Sequence, residues 1–508
     1  MKKIRIALIL VIALCLNVVA LVGCNKDKHQ QTDFMPQTDA SGEVVTGEDG
    51  KISEDVTTTP PEKVRYEGIP EGGYDGSPVT ITFSHTMGQN LRDVLDKYIV
   101  EFNKMYPNIT IEHAQVGGYD DVRDTIKTEL TANNQPNIAY CYPDHVALYN
   151  ITKKVVPLDN FIESKIPTTD ALGNTGILGL TDEQIADFVP GFYKEGGAFD
   201  AAGTMYTLPM SKSTEVLYYN ATFFKEHNLQ VPKTWDEMKA LCAQIKAIDP
   251  DCIPLGYDSE ANWFITMCEQ KGSAYTSTER GKNFLFNNDA NKAFVKEFRT
   301  WYEAGYFTTQ EIYGSYTSGL FVNLVEGTPR SYMSIGSSAG ATHQRPAATN
   351  NGYAFEVGIA PIPQVDPTNP KVISQGPSLC IFDDGIDNME EVASWLFVKF
   401  LTTDAKFQAA FSMTSGYMPV IKSANDIPAY ADYLANADGG DYIAALSIKV
   451  SNGQADAYYV SPAFNGSSAA RDQVGSLMQY CFVTETGDVD ALLDEAFKAA
   501  IEACKKSQ

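Results

Sequence analysis

Strands and helices alternate along the chain from residue 79, and this order constrains the fold more than any other feature. Residues 79–83 and 109–116 alternate apolar and polar side chains, and residues 138–142 form a short apolar run, so all three are predicted strands. The intervening segments, residues 91–105 and 122–130, place apolar side chains three or four positions apart, which predicts helices. This order predicts a parallel α/β sheet with right-handed crossovers, whose ligands bind at the carboxyl ends of the strands.

The length and the charge limit the partners of such a fold. A chain of 508 residues is long enough for two or three domains of about 100–200 residues each. Asp and Glu number 64 against 39 Lys and Arg, so the formal net charge is −25 at pH 7. An acidic surface repels phosphate backbones, which excludes nucleic-acid binding. A small anionic ligand is not excluded, because one buried arginine outweighs a distant negative surface.

The N-terminal segment differs from the rest of the chain. Three of the first five residues are basic, residues 6–16 are apolar, and Leu-Val-Gly-Cys follows at residues 21–24. This arrangement resembles the signal and lipid-attachment box of bacterial lipoproteins, which implies a signal peptide at residues 1–23 and acylation of Cys24. Because no apolar periodicity follows, we expect residues 24–77 to form a lipidated, disordered tether. The implied location is the extracellular face of the cell membrane, held by the lipid.

Motifs for metal, disulfide or catalytic chemistry are weak. None of the nine cysteines has CxxC or CxxH spacing, so we expect buried thiols and no cofactor or metal, with a Cys242–Cys252 pair left open. Residues 336–340 fit the GxSxG pattern of hydrolases, but only His343 follows them, which does not allow the Ser–Asp–His order. The acidic segment 383–387 lacks the last ligand of a calcium loop and is better explained as a turn and helix cap.

Two longer segments carry a family resemblance. The first is Tyr-Thr-Leu-Pro-Met-Ser-Lys-Ser-Thr-Glu-Val-Leu-Tyr-Tyr-Asn at residues 206–220. The second is Trp-Leu-Phe-Val-Lys-Phe-Leu-Thr at residues 395–402, which leads to Thr-Ser-Gly-Tyr-Met-Pro-Val at 414–420. In order and separation they resemble the extracellular solute-binding family of ABC importers, which contains maltose-type and glycerol-phosphate-type receptors. The resemblance extends from about residue 79 to the C-terminus.

This resemblance implies an α/β fold of the periplasmic-binding-protein type II, with two α/β lobes, crossing hinge strands and a ligand cleft between the lobes. The chain would divide into an N-terminal lobe and a C-terminal lobe as follows: residues 78–214 with 356–385, and residues 215–355 with 386–508. The crossing strands would be residues 216–219 and 357–361. Hinge closure would trap the ligand and present the closed form to the ABC permease in the membrane. We expect a monomer.

A finer resemblance, to the glycerol-3-phosphate receptor branch, implies particular cleft residues. It is carried by Gly-Tyr at 118–119 and 416–417, Gly-Pro-Ser-Leu at 376–379 and Ser-Ala-Ala-Arg at 468–471. The residues that would contact the ligand are Tyr119, Asp144, Ser213, Trp263, Ser337, Ser338, Gly376, Tyr417 and Arg471. Ser337 and Ser338 are not separable by register.

Several of these residues also have structural explanations. Trp263 and Tyr417 would stack on the ligand, but they also fit a half-buried helix residue and a turn residue. Asp144 stands where the branch has Glu, and it is also suited to cap a helix. Arg471 would hold a phosphate, or it would pair with a nearby acid such as Asp472.

The sequence therefore predicts a lipid-anchored receptor, not an enzyme, that captures a carbohydrate and delivers it to a permease. Carbohydrate is favoured over a glycerol-3-phosphate or glycerophosphodiester ligand, because a phosphate site requires a basic cluster and only Arg471 is available. An extracellular carbohydrate-active enzyme would need two carboxylates about 5–10 Å apart across the cleft. A surface adhesion protein with this fold would fill its cleft with its own side chains.

Overall fold

The computed structural model describes residues 62–279, 281–385 and 388–507, so the predicted signal peptide and Cys24 lie outside the described residues. The strands are β1 (Val79–His85), β2 (Ile109–Gln115), β3 (Ile138–Cys141), β4 (Pro167–Thr169), β5 (Thr175–Ile177), β6 (Leu208–Pro209), β7 (Glu215–Asn220), β8 (Leu255–Tyr257), β9 (Phe307–Thr309), β10 (Met333–Ser337), β11 (Ala348–Thr349), β12 (Gly352–Tyr353), β13 (Val357–Pro361), β14 (Val372–Ile373), β15 (Ser378–Ile381) and β16 (Tyr458–Tyr459).

The helices are α1 (Gln89–Met105), α2 (Tyr119–Ala132), α3 (Pro143–Tyr149), α4 (Asp159–Glu163), α5 (Asp182–Asp187), α6 (Pro190–Glu195), α7 (Ala221–Glu226), α8 (Trp235–Ile248), α9 (Glu260–Lys271), α10 (Asp289–Glu303), α11 (Gln310–Tyr313), α12 (Ser318–Phe321), α13 (Asn388–Thr403), α14 (Ala405–Ser415), α15 (Pro428–Ala435), α16 (Ile443–Asn452), α17 (Ser467–Val483) and α18 (Val489–Lys506). None of the helices within the described ranges combines the length and the apolar character needed to cross a membrane.

A first five-stranded sheet, in the order β2-β1-β3-β15-β6, forms the centre of one lobe. Strand β1 pairs in parallel with β2 and β3, and β15 runs antiparallel to β3. These parallel strands are the three that the sequence predicts, and the helices between them bury the predicted apolar stripes. On α2, for example, the buried residues are Val122, Ile126 and Leu130.

A second five-stranded sheet, in the order β13-β7-β10-β8-β9, forms the centre of the other lobe. Strand β8 is parallel to β9 and β10, whereas β7 is antiparallel to β10 and β13. Helix α8 starts beside this sheet with a capping box formed by Thr234 and Glu237. The backbone N–H groups of Glu237 and Thr234 each donate to the other residue's side chain, both at 3.2 Å.

Two short segments connect the sheets and lie side by side. Residues 210–214 lead from β6 to β7, and residues 374–377 lead from β14 to β15. The Ser213 N–H donates to the Gln375 carbonyl at 2.7 Å, and the Gln375 N–H donates back to Ser213 at 2.9 Å. The crossing strands predicted at 216–219 and 357–361 are corrected accordingly, because as β7 and β13 they pair with each other inside the second sheet.

The division of the C-terminal region also differs from the prediction. Helix α13 is expected in the second lobe but packs into the core of the first. There Trp395 stacks on Phe161 with the ring centroids 5.4 Å apart, and the Trp395 ring N–H donates to the Leu178 carbonyl at 2.8 Å. Val392 to Val398 are all buried, so this helix requires apolar neighbours on every side. The chain returns to the second lobe after α15, and α17 and α18 pack there.

The residues just before β1 belong to the folded unit, which shortens the predicted tether. Lys63 forms an ion pair with the buried Asp159 at 2.6 Å. The ring of Tyr66 is buried and stacks on Phe161 with the centroids 5.7 Å apart. These contacts involve isolated residues in a polar segment, so hydrophobic periodicity does not reveal them. The described residues from 62 onwards therefore belong to the same compact unit as the two lobes.

The cysteines of the described residues are all buried and unpaired, in agreement with the expectation of buried thiols. The Cys242–Cys252 pair that the sequence leaves open is not formed.

Candidate ligand-binding site

A cavity of about 60 Å³ lies between the two lobes, beside the crossing segment 374–377. Its walls come from three sources. The first lobe contributes Tyr142 and Asp144, just after β3, and Glu195 at the end of α6. The second lobe contributes Tyr275, Ser467 and Arg471. The crossing segment contributes Ser374, Gln375 and Gly376. The cavity therefore lies where a ligand touches both lobes and the connection between them.

Arg471 is the one positively charged residue among the described residues that line the cavity. It lies in the second turn of α17, and its guanidinium donates to the amide oxygen of Asn262. The alternative in which Arg471 pairs with Asp472 is not found, because Asp472 lies 3.3 Å from Arg123 across the cleft. Among the described residues, no carboxylate forms a salt bridge with Arg471, so its charge remains available to a ligand.

Asp144 lies on the opposite wall and is held by a contact between the lobes. Its Oδ2 atom accepts a hydrogen bond from the Ser468 hydroxyl of α17 at 2.7 Å. Burial favours the neutral form, but the charges of His145 and Arg471 outweigh it and lower the pKa of Asp144. Asp144 also lies in the first turn of α3, where a negative charge is favourable at a helix N-terminus, so its structural role at this helix start remains an alternative. An ionised carboxylate thus faces the same cavity as the guanidinium.

A buried hydrogen-bond network orients Asn262 behind Arg471. The Asn262 amide donates to Glu215 at 2.9 Å and to the side chain of Gln375 at 3.0 Å, so its oxygen points to the guanidinium. The Tyr257 hydroxyl donates to the other Glu215 oxygen at 2.7 Å. Burial dominates over these two hydrogen bonds and raises the pKa of Glu215 to about 7. The network ties the second lobe to the crossing segment at the cavity.

A buried ion pair lies on the other side of the crossing segment. The Lys212 ammonium donates to Glu195 at 2.5 Å, and the two side chains are 0% and 3% exposed. Lys212 also donates to the Gly376 carbonyl at 3.2 Å and to the Ser378 hydroxyl at 3.3 Å. Because Glu195 lines the cavity, its ion pair with Lys212 neutralises a negative charge that an anionic ligand would otherwise meet.

Gly376 is the point where the two crossing segments approach most closely. Its φ of +107° lies in the region that favours glycine, and an added Cβ would lie 2.6 Å from the Ser211 carbonyl oxygen. On either side of it, the hydroxyls of Ser374 and Ser461 line the cavity and lack a hydrogen-bond partner. Buried polar atoms without partners are costly, so these hydroxyls are positioned to contact the polar atoms of a ligand.

A group of tyrosines supports the first-lobe wall. The ring of Tyr119 stacks on Tyr142 with centroids 4.4 Å apart, and its hydroxyl lies 3.0 Å from that of Tyr417. Tyr142 lines the cavity, whereas Tyr119 and Tyr417 form the layer behind it. The structure therefore brings both predicted tyrosines to this wall, one ring away from the ligand.

Trp263 is a predicted ligand-stacking residue that the structure places away from the cavity. It is 0% exposed and lies in the core of the second lobe, stacked on Tyr257 at 4.7 Å. A ligand in the cavity does not reach this ring, so the predicted stacking role is corrected. The pattern Asn-Trp-Phe on α9 does not reveal which face of the helix is buried. The cavity is lined instead by Ile265 of the same helix.

The predicted serines support the crossing segment rather than line the cavity. Ser213 lies within that segment. The Ser338 hydroxyl accepts from the Thr214 N–H at 3.2 Å, and Ser337 caps the short helix Ser338–Gln344. His343, the histidine nearest in sequence, is exposed and forms no described contact with Ser338.

Of the residues that line the cavity, the sequence predicted Asp144, Gly376 and Arg471. It did not predict the others, among which are Tyr142, Glu195, Tyr275 and Gln375. Tyr142 could have been found, because it is the last residue of a predicted parallel strand, and ligands of such sheets bind at that end. The other three come from loops and helix ends whose proximity depends on the packing of the two lobes.

Comparisons with known proteins agree with this architecture. The family model described as bacterial extracellular solute-binding protein matches residues 97–438. The sn-glycerol-3-phosphate-binding periplasmic protein UgpB of Escherichia coli K12 is 26% identical over 374 residues, covering 71% of this chain and 79% of the relative.

Solved structures share the fold. UgpB from Mycobacterium tuberculosis, in complex with glycerophosphocholine, superposes with a TM-score of 0.64 at 16% identity, covering 84% of this chain and 98% of that one. The GacH receptor of Streptomyces glaucescens, solved unliganded and with acarbose, has a TM-score of 0.62 at 16% identity, covering 85% and 99%. The predicted two-lobed type II fold is thereby confirmed. The prediction of a binding protein rather than an enzyme is confirmed by the family match. The chain belongs to the bacterial extracellular solute-binding protein family.

Proposed function

We propose that this chain captures a phosphorylated polyol of the glycerol-phosphate type and delivers it to an ABC permease. The observation that carries the proposal is the unpaired guanidinium of Arg471 in the cavity between the lobes. A guanidinium presents a fork of N–H donors that matches phosphate geometry, and a half-buried one such as Arg471 binds an anion more strongly than an exposed one does. The sequence favoured a neutral carbohydrate because the chain lacks a basic cluster, but the position of this single arginine compensates for that lack.

Two further features support a small phosphorylated ligand. Glu195 is neutralised by Lys212, so one of the two cavity carboxylates does not repel an anion. The cavity of about 60 Å³ is well below the roughly 150 Å³ that holds benzene in an engineered protein, so the lobes would have to separate to admit a phosphorylated polyol as well as a sugar. The ionised Asp144 beside Arg471 would bind hydroxyls or a cationic head group of the same ligand.

A neutral carbohydrate is the second candidate. Tyr142 and Tyr275 offer aromatic faces, and Asp144 offers an acceptor for sugar hydroxyls. A disaccharide would require the lobes to separate about the crossing segment, as binding proteins of this type do.

Lipid anchoring through Cys24 is part of the proposal and rests on the sequence of residues 21–24. Acyl chains on this residue would hold the receptor at the extracellular face, next to its permease. The polar segment before Lys63 would then set the distance between the membrane and the folded unit.

The proposal is tested by a thermal-shift panel on the chain beginning at Pro60, which retains the contacts of Lys63 and Tyr66. The ligands are glycerol-3-phosphate, glycerophosphocholine, glycerophosphoethanolamine, glycerol, maltose and maltotriose. A ligand at a hundred times its Kd adds about 2.7 kcal/mol of stability, which a melting curve detects.

We expect the Tm to rise with one or more of the phosphates and to remain unchanged with glycerol. A rise with maltose or maltotriose alone would replace this proposal with the carbohydrate candidate. No response to any phosphate would contradict the proposed ligand class.

A further inference from the structure

Three carboxylates meet at a site distant from the ligand cavity. Asp383 and Asp384 follow β15, and Glu391 projects from the first turn of α13. One oxygen from each lies within 4.8 Å of the others. The opposite end of β15, at Ser378, contacts Lys212 beside the cavity. Five residues of extended chain separate Ser378 from Asp383, or roughly 16 Å, so the two sites are distinct.

Glu391 differs from the other buried acids of the described residues. Those other acids are Asp159, Glu195, Glu215 and Glu260, and each accepts a hydrogen bond from an ammonium, hydroxyl, amide or backbone N–H group. Glu391 is only 1% exposed, and neither of its carboxylate oxygens meets a donor with hydrogen-bond geometry. The Tyr66 hydroxyl lies close to this carboxylate but donates to Asn388 at 3.4 Å. A buried carboxylate without a partner is strongly unfavourable. Its position beside two more carboxylates adds repulsion to that cost.

A cation is the group that would relieve both costs. Within the described part of the chain, no Lys or Arg forms a salt bridge with Asp383 or Glu391.

We propose that Asp383, Asp384 and Glu391 bind a calcium ion that joins the end of β15 to the start of α13. All three ligands are hard carboxylate oxygens, which suit calcium and magnesium rather than softer metals. Asp384 is exposed, so water completes the coordination on that side. Calcium is favoured over magnesium because it accepts irregular sets of six to eight oxygens, whereas magnesium demands a regular octahedron and loses water reluctantly.

This site is not a calcium loop of the helix–loop–helix type, and the difference explains why sequence spacing did not reveal it. The segment 383–387 lacks a twelfth-position ligand, and that absence argued against calcium. The third carboxylate comes instead from Glu391 on the following helix, which folding turns back towards the two aspartates. We expect the affinity of an extracellular module, with a Kd of about 10⁻⁴ to 10⁻³ M.

The test compares calcium binding and thermal stability in the chain beginning at Pro60 and in two variants. In E391Q the buried carboxylate becomes a neutral amide of the same shape. E390Q is the matched control, since Glu390 is the adjacent acid and accepts a hydrogen bond from Asn137 at 2.6 Å, outside the cluster. Isothermal titration with CaCl₂ and MgCl₂ is combined with melting curves in EGTA and in 10 mM CaCl₂.

The wild-type chain should bind one calcium and gain about 1.5 to 3 °C in Tm at 10 mM, given the expected Kd and the size of the folded unit. E390Q should respond in the same way. E391Q should be at least as stable as wild type in EGTA, because the unpaired charge is gone, yet show no gain with calcium.

Three results would overturn the proposal. They are the absence of calcium binding by the wild-type chain, an equal calcium response in E391Q, and a magnesium affinity equal to that for calcium. The comparison in EGTA shows whether E391Q is folded, so loss of its response cannot be attributed to unfolding.

Discussion

The ion pair between Lys212 and Glu195 allows a quantitative test of how the crossing segments are held together. Both side chains are buried, and the ammonium also donates to the Gly376 carbonyl and the Ser378 hydroxyl. Replacement of Lys212 with Met keeps the apolar stem but leaves the Glu195 carboxylate without its cation. Removal of one partner of a buried ion pair costs about 3–5 kcal/mol, a large part of a total stability of about 5–15 kcal/mol.

The assay is urea unfolding at pH 7 of wild type, K212M, E195Q and the double variant. We expect K212M to lower the free energy of unfolding by about 3–5 kcal/mol. In the double variant, the loss of stability should be smaller than the sum of the two single losses by at least about 1.5 kcal/mol. The m-value should be constant, which shows that midpoint changes report stability. K212M should also weaken phosphate binding, because Glu195 then faces the cavity as an unpaired negative charge.

Two outcomes would refute this reasoning. A loss of less than about 0.5 kcal/mol in K212M would mean that the pair behaves like an exposed one. Additive effects in the double variant would mean that Lys212 and Glu195 act on stability independently.

Three other variants test separate parts of the structure. G376A should lower the free energy of unfolding by about 1–3 kcal/mol and weaken ligand binding, because alanine is strained at this positive φ and its Cβ meets the Ser211 carbonyl. Unchanged stability in urea unfolding would contradict the close approach of Gly376 to Ser211. E215Q should become more stable relative to wild type as pH rises from about 4.5 to 7, because Glu215 keeps its proton in the folded state over a pH range in which the unfolded chain has lost it. Urea unfolding at several pH values should show that the stability difference between E215Q and wild type changes by roughly 3 kcal/mol. A difference that stays constant with pH would contradict the raised pKa of Glu215. T234A should lower the free energy of unfolding by about 1 kcal/mol, because the side-chain cap of α8 is lost, and ligand affinity should stay unchanged. A change in affinity on titration would show that this cap is coupled to the cleft.

Hydrophobic periodicity predicted the parallel part of the first lobe because local pattern and burial agree there. Strands β1, β2 and β3 and helices α1 and α2 lie where the pattern places them. The same reasoning failed for α13, since an apolar helix can be buried in either lobe and its sequence does not state which one. Residues 62–77 were missed for the opposite reason, because a single buried tyrosine and two ion pairs leave no periodic pattern.

The cavity was predictable where its residues follow a recognisable motif. Asp144, Gly376 and Arg471 came from family resemblance and all line the cavity. Trp263 did not, because stacking on a ligand and stacking in a core require the same kind of side chain. Glu195 was not predictable, since its partner Lys212 lies on a different element and the pair forms only when both elements are packed together.

The role of Arg471 in phosphate binding is tested by a calorimetric titration of glycerol-3-phosphate and a glycerophosphodiester into wild type, R471Q and R471K. If Arg471 holds the phosphate, R471Q should lose about 2–5 kcal/mol, roughly 30-fold or more in Kd. R471K should bind with intermediate affinity, because lysine keeps the charge but not the two parallel donors. Binding of equal strength in wild type and R471Q would contradict the account, since the cleft would then recognise its ligand without the one cation that lines it.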